Sequence, residues 1–172
     1  MKKACLLMMM LAATSAAAQQ IDLKSLDSLA ASASETVEIN MDEAMLKAGA
    51  GALTGRGDDD AKAKKTVEGL RGIYGRVFEF DKDGAYSRQA LDGIRQQLKS
   101  PEWSIVTRVK DDDEEVEMWV HRTAGGAMDG IVFIVAESDE LVVFNLVGIA
   151  SFEDLARIGG QFGIPRVGPG PK

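Results

Sequence analysis

The chain has 172 residues, 45% of them hydrophobic, a formal charge of −7, and a single cysteine and a single histidine. That length suits one domain with a modest core. The acidic balance argues against nucleic acid or an anionic membrane surface as partner, since both select basic patches.

Lys2 and Lys3 open the chain, residues 4–13 form an apolar run of ten, and Ala16, Ala17 and Ala18 follow. This order reads as a secretory leader, residues 1–18, cut after Ala18 to leave Gln19 as the new terminus. A membrane span needs about 20 apolar residues, and neither this run nor any later stretch reaches that length. Cys5 precedes most of the run and leaves with the leader, so the mature chain is expected to lack any thiol, disulfide, thiolate ligand or cysteine nucleophile. Losing Lys2 and Lys3 takes the formal charge from −7 to −9.

Residues 19–34 read as an N-terminal helical arm, with Leu23, Leu26, Leu29, Ala30 and Ala33 at helical spacing. Residues 36–41 alternate as a half-buried strand, with Val37, Ile39 and Met41 on one side. Asp42 caps a helix over 43–53, whose last turns Gly49 and Gly51 weaken. A loop over 54–60 ends in Asp58, Asp59 and Asp60, placed to favour the positive end of a helix over 61–70, which Gly72 closes. A strand over 73–80 and a turn over 81–84 lead to a third helix over 85–99. Its apolar stripe is Tyr86, Ala90, Leu91, Ile94 and Leu98.

From Pro101 onward the pattern becomes consecutive strands. Residues 102–110 alternate around Trp103, Ile105, Thr107 and Val109. An acidic turn over 111–115 follows, and then a strand over 116–123 with Val116, Met118 and Val120 opposed to Trp119 and His121. After a glycine-rich connection come two nearly continuous apolar runs, 131–136 and 141–149, joined by four polar residues. They read as a hairpin in the middle of a sheet, covered on both faces. Ser151 caps a last helix with apolar positions Phe152, Leu155 and Ile158, and residues 161–172 form a Gly/Pro tail. The sum is one α+β domain over 35–160. It has a mixed, mostly antiparallel sheet of about six strands with helices packed mainly on one face, and the first strand-helix-strand unit is open to a parallel crossover.

No catalytic motif stands out. His121 could serve as a general base or metal ligand, but no second histidine or thiol joins it. Glu115, Glu117 and Asp129 offer a carboxylate pair for hydrolysis. Asp58 to Asp60 and Asp111 to Glu115 offer oxygen ligands for calcium, although adjacent carboxylates do not converge on one ion. Residues 81–84 lack the glycine position and the distal glutamate of a calcium loop. Arg56, Gly57 and Asp58 form an adhesion-type tripeptide, a pattern short enough to arise by chance. Trp103 and Trp119, on adjacent strands, read as cross-strand packing.

The segments VEINMDEAML, LRGIYGRVFEF, EWSIVTRV, VEMWVHR and LVGIASFEDLARI, in that order, resemble the bacterial family of small exported proteins called domain of unknown function 4252. The resemblance covers about residues 39–158 and implies an exported α+β domain with no assigned catalytic residues. Many members end the leader in a lipidated cysteine. This sequence has none there, so a protein that is not lipid-anchored is expected, in the periplasm or outside the cell. The function read from all this is a non-enzymatic binding module at the cell envelope, without cofactor or metal. Its partner would be an envelope protein or a second copy. A hydrolase using His121 or a carboxylate pair, and a calcium-responsive surface protein, are the alternatives.

Overall fold

A computed structural model describes residues 19–52 and 58–158. The expected leader with Cys5, Arg56 and Gly57 of the tripeptide, and the Gly/Pro tail lie outside the described residues.

A 3-10 helix, Lys24–Ala31, precedes strand β1, Glu35–Asp42, and helices α1, Glu43–Ala52, and α2, Asp58–Gly69. Strand β2, Gly72–Glu79, leads to a second 3-10 helix, Arg88–Leu91, continuous with α3, Asp92–Gln97. Strands β3, Trp103–Lys110, β4, Glu115–Arg122, β5, Met128–Ala136, and β6, Glu140–Val147, form a meander, and α4, Phe152–Ile158, closes the order. The six strands make one sheet in the order β1-β2-β6-β5-β4-β3, and every pair is antiparallel.

The expected α+β class and central hairpin hold. The parallel crossover does not, because β1 and β2 are joined by two helices. The second helix reverses the chain once more, so β2 starts at the end where β1 finished and runs back beside it. Asp42 does cap α1, its carboxylate accepting the Met45 N–H at 2.9 Å. Helix α2 starts at Asp58, which puts the three aspartates in its first turn, and it ends at Gly69, ahead of the expected stop at Gly72.

The third helix is shorter than its apolar stripe suggests. Ser87 caps the 3-10 segment, and the Tyr86 hydroxyl donates to the carbonyls of Glu137 at 2.7 Å and Glu140 at 3.0 Å. The Tyr86 ring also stacks on Phe80. These contacts tie residues 85–87 to the β5–β6 turn and keep them out of the helix. Burial above all pushes the Tyr86 hydroxyl up to about 12, so it remains a donor.

Both faces of the sheet are covered, which explains the continuous apolar runs of β5 and β6. Leu46 and Ala50 of α1, Val67 of α2 and Leu155 of α4 pack with Ile131, Phe144 and Leu146 on one face. Close approach there needs Gly75, where an added Cβ would sit 2.8 Å from the Phe144 ring. The other face carries the N-terminal arm, through Ile21, Leu23 and Leu26, together with Leu91, Ile94 and Leu98. The arm therefore completes the second core. Phe152, expected inside, is 49% exposed.

A bulge between Ile105 and Thr107 adds one residue to β3. Trp103 and Ile105 consequently share a face with His121 and Trp119, while Thr107 and Val109 pair with Met118 and Val116 on the opposite face. The single alternation expected across Trp103, Ile105, Thr107 and Val109 is broken there, as a bulge requires.

At the β2–β6 end, Glu79 and Glu140 stand directly opposite each other. Burial first, then the charges of Glu137, Glu79 and Asp139, hold the Glu140 carboxyl above its usual range. Ionising it therefore costs more in the fold than in the unfolded chain. The penalty is absent below the ordinary glutamate value and enters as pH rises through the raised folded value. Glu140→Gln should raise Tm by a few degrees at neutral pH and leave it unchanged near about pH 3. Equal shifts at both would show that charge is not the cause.

Candidate functional site

Alternation along β4 aims Glu115, Glu117, Trp119 and His121 at the face covered by the arm and α3. A row of polar side chains on a covered face must find partners, and these four divide into two groups.

The first group centres on Glu117, whose side chain is fully buried. It accepts from Arg95 Nε at 2.8 Å, Arg108 Nη2 at 3.1 Å and Trp119 Nε1 at 2.7 Å. Arg95, from α3, also lies 2.9 Å from Glu115. Burial works to raise the Glu117 carboxyl, but the hydrogen bonds from Arg108, Trp119 and Arg95 outweigh it and hold the group below its usual range. The Arg108 guanidinium lies over the Trp119 ring, 5.7 Å from its centre. Glu115 thus belongs to β4 and an ion pair, outside the acidic turn expected to contain it. An ionised carboxylate with three donors is a structural clamp and a poor general base.

The second group lies four residues along β4, about 13 Å away. His121 is 5% exposed, and its Nδ1 lies 2.6 Å from Asp129 Oδ1. Its Nε2 is buried without a hydrogen-bond partner among the described residues, and the Trp103 ring meets the imidazole edge-on, with ring centres 5.0 Å apart. Trp103 and Trp119 thus both pack across strands, but each against a different partner.

Asp129 Oδ2 accepts from Gln19 Nε2 and lies 3.5 Å from Arg71 Nη2, while Arg71 donates to Gln19 Oε1. Backbone pairing places these two charges. Gly148, at φ +92°, donates its N–H to the Asp129 carbonyl at 2.7 Å, and the Arg71 N–H donates to the Val147 carbonyl at 2.7 Å. A Cβ at Gly148 would lie 2.8 Å from the Arg71 nitrogen, so only glycine fits.

Asn145 completes the arrangement. It is fully buried in β6; its Oδ1 accepts the Ile21 N–H at 3.0 Å, and its Nδ2 donates to the carbonyls of Gln19 and Ile131, each at 3.2 Å. Beside the arm lies an open groove of about 520 Å3. Arg76 at its wall already pairs with Glu38 at 2.9 Å and Asp27 at 3.3 Å.

Of the residues nominated from sequence, the structure joins His121 to Asp129 and sets Glu115 and Glu117 apart with Arg95. Among the described residues, no group of three or more His, Cys, Asp or Glu is arranged to hold a metal ion, and no helix is long and apolar enough to cross a membrane. Sequence reasoning missed Arg71, Arg95, Arg108, Gln19 and Asn145. Asn145 carried a usable signal, since a lone amide inside LVVFNLV must be satisfied by something.

The outer edge of β3 is different in kind. Ile105, Val106 and Val109 are 39%, 46% and 50% exposed. Val116, Met118 and Val135, on the face that Val109 shares, are only half-buried, because the helices of that face lie over the other end of the sheet.

Residues 31–158 match a family model described as "Domain of unknown function (DUF4252)". No curated protein matches the chain. No solved structure matches it either.

Proposed function

The chain belongs to the DUF4252 family, a description that names no chemistry, and from that premise we propose that it is an exported, non-enzymatic interaction module of the bacterial cell envelope. The leader-like residues 1–18 support export. The observation that carries the binding role is the β3 edge, which pairs with no further strand among the described residues and exposes Ile105, Val106 and Val109. Free edges template strand addition, and apolar patches rimmed by charge mark contact surfaces.

The occupant that fits is an extended, apolar-centred segment of another envelope protein with basic flanks. Acidic residues bound β3 on both sides, Glu102 before it and Asp111 to Glu114 after it. A second copy would bring the same net negative charge and be repelled. A photo-crosslinker at position 106 in intact cells, with a tag after Lys172, should capture one dominant envelope protein. Val109→Lys should abolish capture without lowering Tm. Capture of the chain alone, or of nothing, would overturn this reading.

A second reading, a hydrolase with His121 as base, draws on the Asp129 contact and the unpartnered Nε2. It requires that His121→Ala abolish a measurable activity while Tm stays unchanged.

A further inference from the structure

We propose that Gln19, once exposed as the amino terminus, cyclises in place to pyroglutamate, with Arg71 and Asp129 assisting ring closure. The proposal rests on the reading of a leader cut after Ala18. That cut leaves a residue whose side-chain amide can be attacked by its own α-amine. The fold holds this amide at both ends, Oε1 by Arg71 and Nε2 by the Asp129 carboxylate. The backbone is held too, because Asn145 receives the Ile21 N–H and donates to the Gln19 carbonyl.

Each contact matches a demand of the reaction. The neutral α-nitrogen bonds to Cδ, and the carbonyl electron pair moves to Oε1, where the Arg71 guanidinium stabilises the developing negative charge. In that intermediate both nitrogens sit on one carbon, so a carboxylate touching one is within reach of the other. Asp129 takes the proton released by the attacking nitrogen and returns it to Nε2. The Cδ–Nε2 bond then breaks, the carbonyl re-forms, and ammonia leaves. Atoms and charge balance with no co-reactant. The lactam keeps the C=O that Arg71 already engages, and its N–H, the former α-nitrogen, replaces the departed Nε2 as a donor towards Asp129, so the product can stay in the same seat. Cyclisation also removes an ammonium charge from the edge of the second core.

Full-length precursor, cut in vitro by purified signal peptidase, gives a time zero free of cellular cyclases. Mass spectrometry of the terminal peptide should show a chain starting at residue 19 and losing one ammonia with time. Closure should be about 100-fold slower in Arg71→Gln, the usual effect of removing one donor to a developing oxyanion. It should slow likewise in Asp129→Asn, with unfolding curves confirming that each variant is folded. Wild type held in urea provides a comparison that needs no substitution, and it should react at the slow rate. A terminus at Gln19 that keeps its ammonia, or equal rates folded and unfolded, would overturn the proposal. A terminus at any other residue would overturn its premise, and the terminal peptide distinguishes the two failures.

Discussion

Replacing Arg95 with methionine should destabilise the domain by about 3 kcal/mol at neutral pH, and acidification should narrow that difference. Arg95 is the cation shared by Glu117, which is fully buried, and Glu115, which is nearly so. Arg108 would still reach Glu117, but it is half-exposed and makes one contact. Two carboxylates would then sit in a covered face with too few donors, the arrangement in which breaking a buried pair costs most. In wild type the Glu117 carboxyl is held below its usual range. Its stabilisation is therefore complete above the ordinary glutamate value and is lost as pH falls through the lowered folded value. In the variant Glu117 loses the lowering that Arg95 supplies and keeps that from Arg108 and Trp119, so acidification takes less stability from the variant than from wild type. The two urea-unfolding free energies should converge as pH falls below the ordinary glutamate value. A gap that stays constant with pH would mean that Arg95 acts through packing of its stem alone.

Asn145→Leu should cost about 3 kcal/mol as well, since it leaves the Ile21 N–H buried without its acceptor and takes a donor from the Gln19 and Ile131 carbonyls. The larger effect is local. Protection of the Ile21 amide against hydrogen exchange should collapse, and that of Leu26 should weaken. The contacts of Gln97 with the Asp22 backbone N–H at 2.7 Å and carbonyl at 2.9 Å remain as a second anchor. Unchanged protection in the arm would show that burial of Leu23 and Leu26 holds it without the amide.

Much of the scaffold was legible because its strands obey simple rules. The Val, Ile and Phe runs of β5 and β6 are continuous, and such runs belong to strands covered on both faces. Asp42 and Ser151 were readable as caps because one short oxygen-bearing side chain before an apolar-periodic run has one good use. The β1–β2 pairing was not legible, since its direction depends on how two helices stack and on nothing in the strands themselves. The β3 bulge escaped for a related reason. One extra residue leaves composition untouched and only reverses which side chains share a face. The polar clusters were half legible. His121, Asp129, Glu115 and Glu117 could be nominated, but their partners lie far along the chain. An arginine on α3 reads as a solvated charge until the fold puts it beneath β4.

The position of β6 between β2 and β5 has a consequence for the order of events during synthesis. β5 and β6 are adjacent in the chain and can pair as soon as both are made, at low loop-closure cost. β2 is made much earlier, yet its second neighbour is β6, near the end of the domain. For that whole interval the early β1–β2 unit has one strand edge without its partner and an apolar face without its floor. Vectorial, piece-by-piece folding is therefore closed to this topology, and completion waits on the last strand. Such high contact order slows the search and lengthens exposure to misassembly. A chain truncated before β6 should gather as aggregates even though most of its residues are present.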